Sequence, residues 1–139
     1  MARGRDATRL GYSSRNMSSF NRPLSGKALL IDLAHEIEAA QAARSAQPSG
    51  RTARTLVKDG PLRVTLILLD AGGEIAEHHA EGPISVHVIS GTLRMRIDEE
   101  EHQIEEGQML TVSAGVRHDV AADTDAVFLL TVAFPGHGA

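Results

Sequence analysis

What most constrains this chain is the punctuation of its C-terminal part. From about residue 52 onward, short β-branched and apolar runs alternate with turns containing Gly or Asp. Leu62–Leu69 (LRVTLILL) lies between Asp59-Gly60-Pro61 and Asp70-Ala71-Gly72-Gly73. Ile84–Ser90 and Thr92–Asp98 flank Gly91. In the second of these, Leu93, Met95 and Ile97 alternate with Arg94 and Arg96, the period of a sheet with one wet face. Gln103–Glu105, Gln108–Val112, Arg117–Ala121 and Ala126–Phe134 follow, each after a turn. About seven or eight short strands over about eighty residues predict an all-β sandwich or barrel. No strand–helix–strand alternation is present, so a doubly wound fold is not expected.

Two further zones precede this one. Residues 1–22 are rich in Arg, Ser and Gly, without hydrophobic periodicity, and are expected to form a disordered tail. Residues 23–50 are expected to hold an amphipathic helix and a linker, leaving 51–139 to the β domain. The helix is predicted over 25–46, with Ser25 as N-cap, and Leu30, Leu33, Ala34, Ile37 and Ala40 as its apolar stripe. Asp32, Glu36 and Glu38 fall mostly off that stripe. Pro48-Ser49-Gly50 ends the element.

Composition removes several function classes. At 139 residues the chain has the size of one domain. It has no Cys, which excludes thiolate metal sites, iron–sulfur clusters and cysteine nucleophiles. Aromatic residues make up only 3%, poor material for stacking on bases. Residues 1–22 carry a net +4 and the remainder −8, and an acidic body argues against nucleic acid as a partner. No apolar run is long enough to span a membrane, and the N-terminus lacks the apolar segment of a secretory signal. A soluble cytoplasmic protein is expected.

Histidine carries the chemical signal. Of seven His residues, His78, His79, His87 and His118 fall within the β region at strand ends or inside strands. His35, His102 and His137 read as surface or core filler and not as ligands. The stretch from Gly73 through His78-His79 and Ile84 to Gly91 resembles the first motif of the cupins, G-x5-H-x-H-x3,4-E-x6-G. Gly107, Ser113, Gly115, His118 and Ala122 resemble the second, G-x5-P-x-G-x2-H-x3-N. The resemblance, to a small single-domain cupin of the cupin-2 type, covers about residues 60–134. It implies a double-stranded β-helix (a jelly-roll barrel) with one N-terminal α-helix.

In cupins the two motifs together bind one divalent metal inside the barrel. Neutral imidazole and carboxylate suit iron, manganese, nickel, copper or zinc. This chain departs from the pattern at several points. Ile84 stands at the usual Glu position, Ser113 replaces Pro and Ala122 replaces Asn. Side chains at i and i+2 of a strand share a face, so two registers are open: Glu77 with His79, or His78 with Ala80. The candidate ligands are therefore His79, His118, His78, Glu77 and His87. His87 points outward if Val86 and Val88 face the core, and inward if the register slips by one.

Other features read as structural. Six carboxylates between Asp98 and Glu106 suggest a solvated hairpin. Arg94 and Arg96 share a face that could grip a carboxylate. The expected function is a metal-binding cupin acting on a small molecule by dioxygenase- or isomerase-type chemistry. The alternative is a metal-free cupin that binds a small ligand or serves as a structural dimer. The resemblance also implies a homodimer, with neither nucleic acid nor membrane as partner.

Overall fold

The computed structural model describes residues 22–46 and 50–135. One helix, α1 (Leu33–Ala46), precedes nine strands: β1 (Arg51–Asp59), β2 (Leu62–Leu69), β3 (Glu74–His78), β4 (Ile84–Ser90), β5 (Thr92–Ile97), β6 (Glu100–Glu105), β7 (Met109–Val112), β8 (His118–Ala122) and β9 (Ala126–Ala133). They form two antiparallel sheets. The first, of five strands, has the order β1-β2-β9-β4-β7, and the second, of four, runs β3-β8-β5-β6. This is the predicted all-β barrel with one N-terminal helix. The sequence pattern does not mark β1 and β3 as separate runs. Glu74–His78 (EIAEH) lacks apolar alternation and is held as a strand by its pairing with β8.

The two sheets enclose one core. Ile67, Leu69, Ile84, Val86, Val88, Leu93, Met95, Ile104, Val112, Val120 and Phe128 are buried in a single cluster between them. On the other side of the five-stranded sheet, α1 builds a second, smaller cluster with Leu56, Leu66, Leu68 and Val127. Strand β2 is covered from both sides, which is why Leu66, Ile67, Leu68 and Leu69 are buried without alternation. Two bulges, between Thr55 and Val57 in β1 and between Val88 and Ser90 in β4, let an extra side chain point toward the helix side.

The helix differs from its sequence reading in two respects. It starts at Leu33, where the Asp32 carboxylate accepts a hydrogen bond from His35 N at 3.2 Å, so Asp32 and not Ser25 is the N-cap. Its buried positions are Glu36 and Ala40, while Leu30 and Leu33 are exposed. Glu36, which the sequence pattern places mostly off the apolar stripe, is buried. Its carboxylate meets Arg54 Nε at 3.1 Å and Arg22 Nε at 3.2 Å. Arg22 also donates to the carbonyl of Leu56 at 3.0 Å, and Lys58 N donates to Leu24 O at 2.8 Å. Residues 22–24 thus cover the 55–58 part of the outer edge of β1, which would otherwise be open to pairing with another chain. Residues 1–21, most of the expected tail, lie outside the described residues, as do Pro48, Ser49 and His137.

Glycine is obligatory at two close approaches. A Cβ at Gly82 would strike the Ala133 carbonyl, and one at Gly91 the Asp125 carbonyl, where φ is also +81°.

A buried carboxylate between two guanidinium groups leaves uncompensated charge when it is removed. Glu36→Ala should lower the unfolding free energy by roughly 3–5 kcal/mol, whereas exposed Glu38→Ala should change it by less than about 0.5 kcal/mol. Urea titration followed by circular dichroism reads both.

Candidate functional site

Strand register decides which polar side chains enter the barrel. On β8, His118, Val120 and Ala122 alternate inward and are buried. His78 of β3 pairs directly with His118, which pairs with Ile97 of β5, which pairs with Glu100 of β6. Cross-strand partners share a face, so one row across the four-stranded sheet reads His78, His118, Ile97, Glu100. Ala80 packs against the core. The pairing therefore sets His78, and not its neighbour, directly beside His118, while Glu77 and His79 are exposed.

The two imidazoles meet edge to face, with ring centroids 4.3 Å apart and planes at 66°. His118 is 3% exposed, while His78 sits at the solvent side of the pair. Each ring is oriented by the carbonyl two residues earlier. His78 Nδ1 lies 2.8 Å from Ala76 O and His118 Nδ1 lies 3.0 Å from Val116 O. A carbonyl only accepts, so each Nδ1 carries the proton and each Nε2 presents a lone pair when the ring is neutral. Burial pushes the His118 pKa below its ordinary value, and the proximity of His78 and His79 pushes it the same way. The Val116 hydrogen bond and Asp119 oppose this shift without cancelling it. His118 is accordingly neutral at pH 7.

The remaining candidates are elsewhere. Glu77 is exposed and faces Arg117 at 3.6 Å. His79 is exposed. His87 is exposed on the outward side of β4, between buried Val86 and Val88. Ile84, at the position where the motif has Glu, is buried in the apolar core. Glu100 shares the histidine row, but Ile97 separates it from His118, and its carboxylate lies 3.5 Å from His102. Among the described residues no group of three or more His, Cys, Asp or Glu is placed to hold a metal ion. The donor set therefore does not fit a resident metal held by three or four side chains.

Arg94 and Arg96 are also committed. Arg94 reaches Asp123 at 2.8 Å and Glu101 at 3.2 Å, and Arg96 reaches Asp119 at 3.0 Å. The Arg94 hydrogen bonds hold the Asp123 carboxyl below its usual pKa. These pairs form a charged ladder on the outer face of the four-stranded sheet, so both guanidinium groups are already engaged by carboxylates of the chain itself.

The cupin domain family matches residues 65–134, half of the chain, from within β2 through the end of β9. The chain is a cupin. A conserved protein of unknown function from Streptococcus pyogenes is 29% identical, with 83% of this chain and 95% of that one aligned at a TM-score of 0.66. A cupin superfamily protein from Desulfitobacterium hafniense is 15% identical over 61% of this chain and 78% of that one, at 0.60. Salicylate 1,2-dioxygenase from Pseudoaminobacter salicylatoxidans is 20% identical, covering 74% of this chain but 32% of the enzyme, at 0.64. The last two likenesses are of fold alone. No curated protein matches this cupin.

The shift at His118 has a sign. An unfolded chain takes up a proton near the ordinary histidine value of 6.5, and the folded ring resists it. The stabilising contribution is complete above pH 6.5 and is lost as pH falls through the lower folded value. Urea midpoints measured from neutral to acidic pH should fall over that window, and His118→Gln should flatten the fall. An Nε2 resonance of His118 that titrates at or above the ordinary value would contradict the burial argument.

Proposed function

We propose that this cupin is a binding protein for a small, weakly polar molecule, taken up beside the His78–His118 pair, which serves as its polar anchor. The observation that carries the reading is the pair itself. Two adjacent imidazoles have both Nδ1 atoms tied to carbonyls, and the motif carboxylate is replaced by Ile84. Each free Nε2 accepts a hydrogen bond, so the favoured ligand carries a donor such as a phenol or alcohol hydroxyl. Ile75, Ala80, Ile97 and Val116 are half-buried against the core around the pair and suit an apolar ligand body. An anion gains little here, because burial keeps His118 uncharged at neutral pH.

Metal binding is the second reading, and one observation favours it. Imidazoles that donate Nδ1–H to a carbonyl and offer Nε2 have the tautomer and orientation of metal ligands. Iron, manganese, nickel, copper or zinc would find two protein donors and would complete its shell from water or ligand. Such an ion would exchange readily. Dioxygenase- or isomerase-type chemistry rests on this second reading and on likeness of fold, and fold alone does not choose a reaction.

The two readings separate in one experiment on the purified full chain. Elemental analysis after gel filtration should find far less than one metal per chain. A panel of phenols and alcohols should shift the Nε2 resonances of His78 and His118, and His118→Ala should weaken that binding at least tenfold, about 1.4 kcal/mol. A stoichiometric metal that is lost in His118→Ala would replace this reading with a metal centre. Silence of both resonances across the panel would also overturn it.

A further inference from the structure

The outer face of the four-stranded sheet is not flat. Cross-strand partners share a face, and one row there reads Glu74, Ala121, Arg94, Gln103, while the next carries Asp119, Arg96 and Glu101. Between the Ile75–Val120 and His78–His118 pairs, β3 has two residues, Ala76 and Glu77, where β8 has only Asp119. Alanine among longer side chains leaves a dip. The result is a groove of about 580 Å³ with Ala76 and Ala121 in its lining. Five carboxylates (Glu74, Glu77, Glu99, Glu101, Asp119) and two guanidinium groups (Arg94, Arg96) border it, a net charge of −3. Both guanidinium groups are already held by carboxylates, whereas exposed Glu74 and Glu99 make no ion pair among the described residues.

The complementary charge lies in the same chain. Residues 1–21 hold Arg3, Arg5, Arg9 and Arg15 against Asp6, a net charge of +3. They join the described fold at Arg22, which donates to the carbonyl of Leu56 on the outer edge of β1. Strands β6 and β7 follow one another through the short turn at Gly107, so those two sheet edges lie together on one side of the barrel. The outer edges of β1 and β3 therefore share the other side, and β3 supplies one bank of the groove, Glu74 to Glu77. Length is not limiting. A stretch of 21 residues spans up to roughly 70 Å when extended, and four strands at about 4.8 Å spacing are only about 14 Å across.

We infer that residues 1–21 dock along this groove, with their arginines on Glu74, Glu99 and the neighbouring carboxylates. The tether selects the occupant. A covalently attached segment meets its site at an effective concentration in the millimolar range, so exposed ion pairs too weak to hold a free peptide suffice. The contact is electrostatic, and salt weakens it. It runs over Glu77 and Asp119, the chain neighbours of His78 and His118, and does not depend on what the histidine pair binds.

Paramagnetic broadening in the full chain tests this. The sequence has no Cys, so Thr8→Cys takes a single nitroxide label. At about 10 mM salt, where the Debye length is about 30 Å, the amides of residues 74–77 and 119–121 should be broadened about threefold more than those of Ser85 and Met109 on the opposite sheet. Raising the salt to about 1 M should remove that difference. Glu74→Lys combined with Glu99→Lys should remove it too, while Glu38→Lys combined with Glu106→Lys, the same charge change elsewhere, leaves it in place. All four positions are exposed, and the amide spectrum itself shows that each variant folds. Broadening spread evenly over both sheets, or unmoved by the Glu74 and Glu99 substitutions, overturns the inference. So does broadening seen only when a labelled chain is mixed with a separate isotope-enriched one, because the segment then reaches a second copy.

Discussion

Everything in this structure depends on the five-stranded sheet being apolar on both faces over part of its width. Strand β2 runs through the middle of that region. Its Ile67 and Leu69 fill the barrel, and its Leu66 and Leu68 lie under α1. Antiparallel pairing of β2 with β9, and of β9 with β4, carries the alternation across the sheet without a slip until the bulge near Ser90. A one-residue shift in any of these pairings would exchange the two clusters. The helix cover in turn explains why a carboxylate can sit at its base. Glu36 has two guanidinium partners, and the same contacts cover part of the edge of β1.

The same register sets the chemistry at the barrel end. His118 is inward because Val120 and Ala122 are inward, and its cross-strand partner on β3 is His78, not His79. The adjacent histidines look equivalent in sequence, but only one can share a face with His118. Once that is fixed, Glu77 turns toward Arg117 and Ile84 joins the core. A two-donor, half-dry site is chemically unlike the three- or four-ligand centre that the motif resemblance implies.

Much of the fold was legible in the sequence for a simple reason. Seven of the nine strands, β2 and β4 to β9, announce themselves by apolar runs bounded by Gly or Asp turns, and β6 differs only in starting earlier than expected. Those signals are local, and local signals survive without tertiary information. The strands that escaped, β1 and β3, are polar or mixed and exist because a neighbour offers them hydrogen bonds. The start of α1 escaped for a related reason. Leu30 continues the helical spacing but lies before the Asp32 cap, on a segment shaped by packing of Ile31 and by the tether at Leu24.

The site divides along the same line. By itself the sequence determined the residue types available: no thiol, a pair of adjacent histidines, a third at the second motif, and an isoleucine where a carboxylate is usual. Those facts follow from composition and spacing. Only the tertiary structure decided which of the adjacent histidines pairs with buried His118, that Arg94 and Arg96 are already paired, and that Glu36 is buried. Each of these turns on strand register or on contacts between residues far apart in the chain. A period-two pattern states that alternate side chains share a face, but the direction of that face is set by whichever side the rest of the molecule covers.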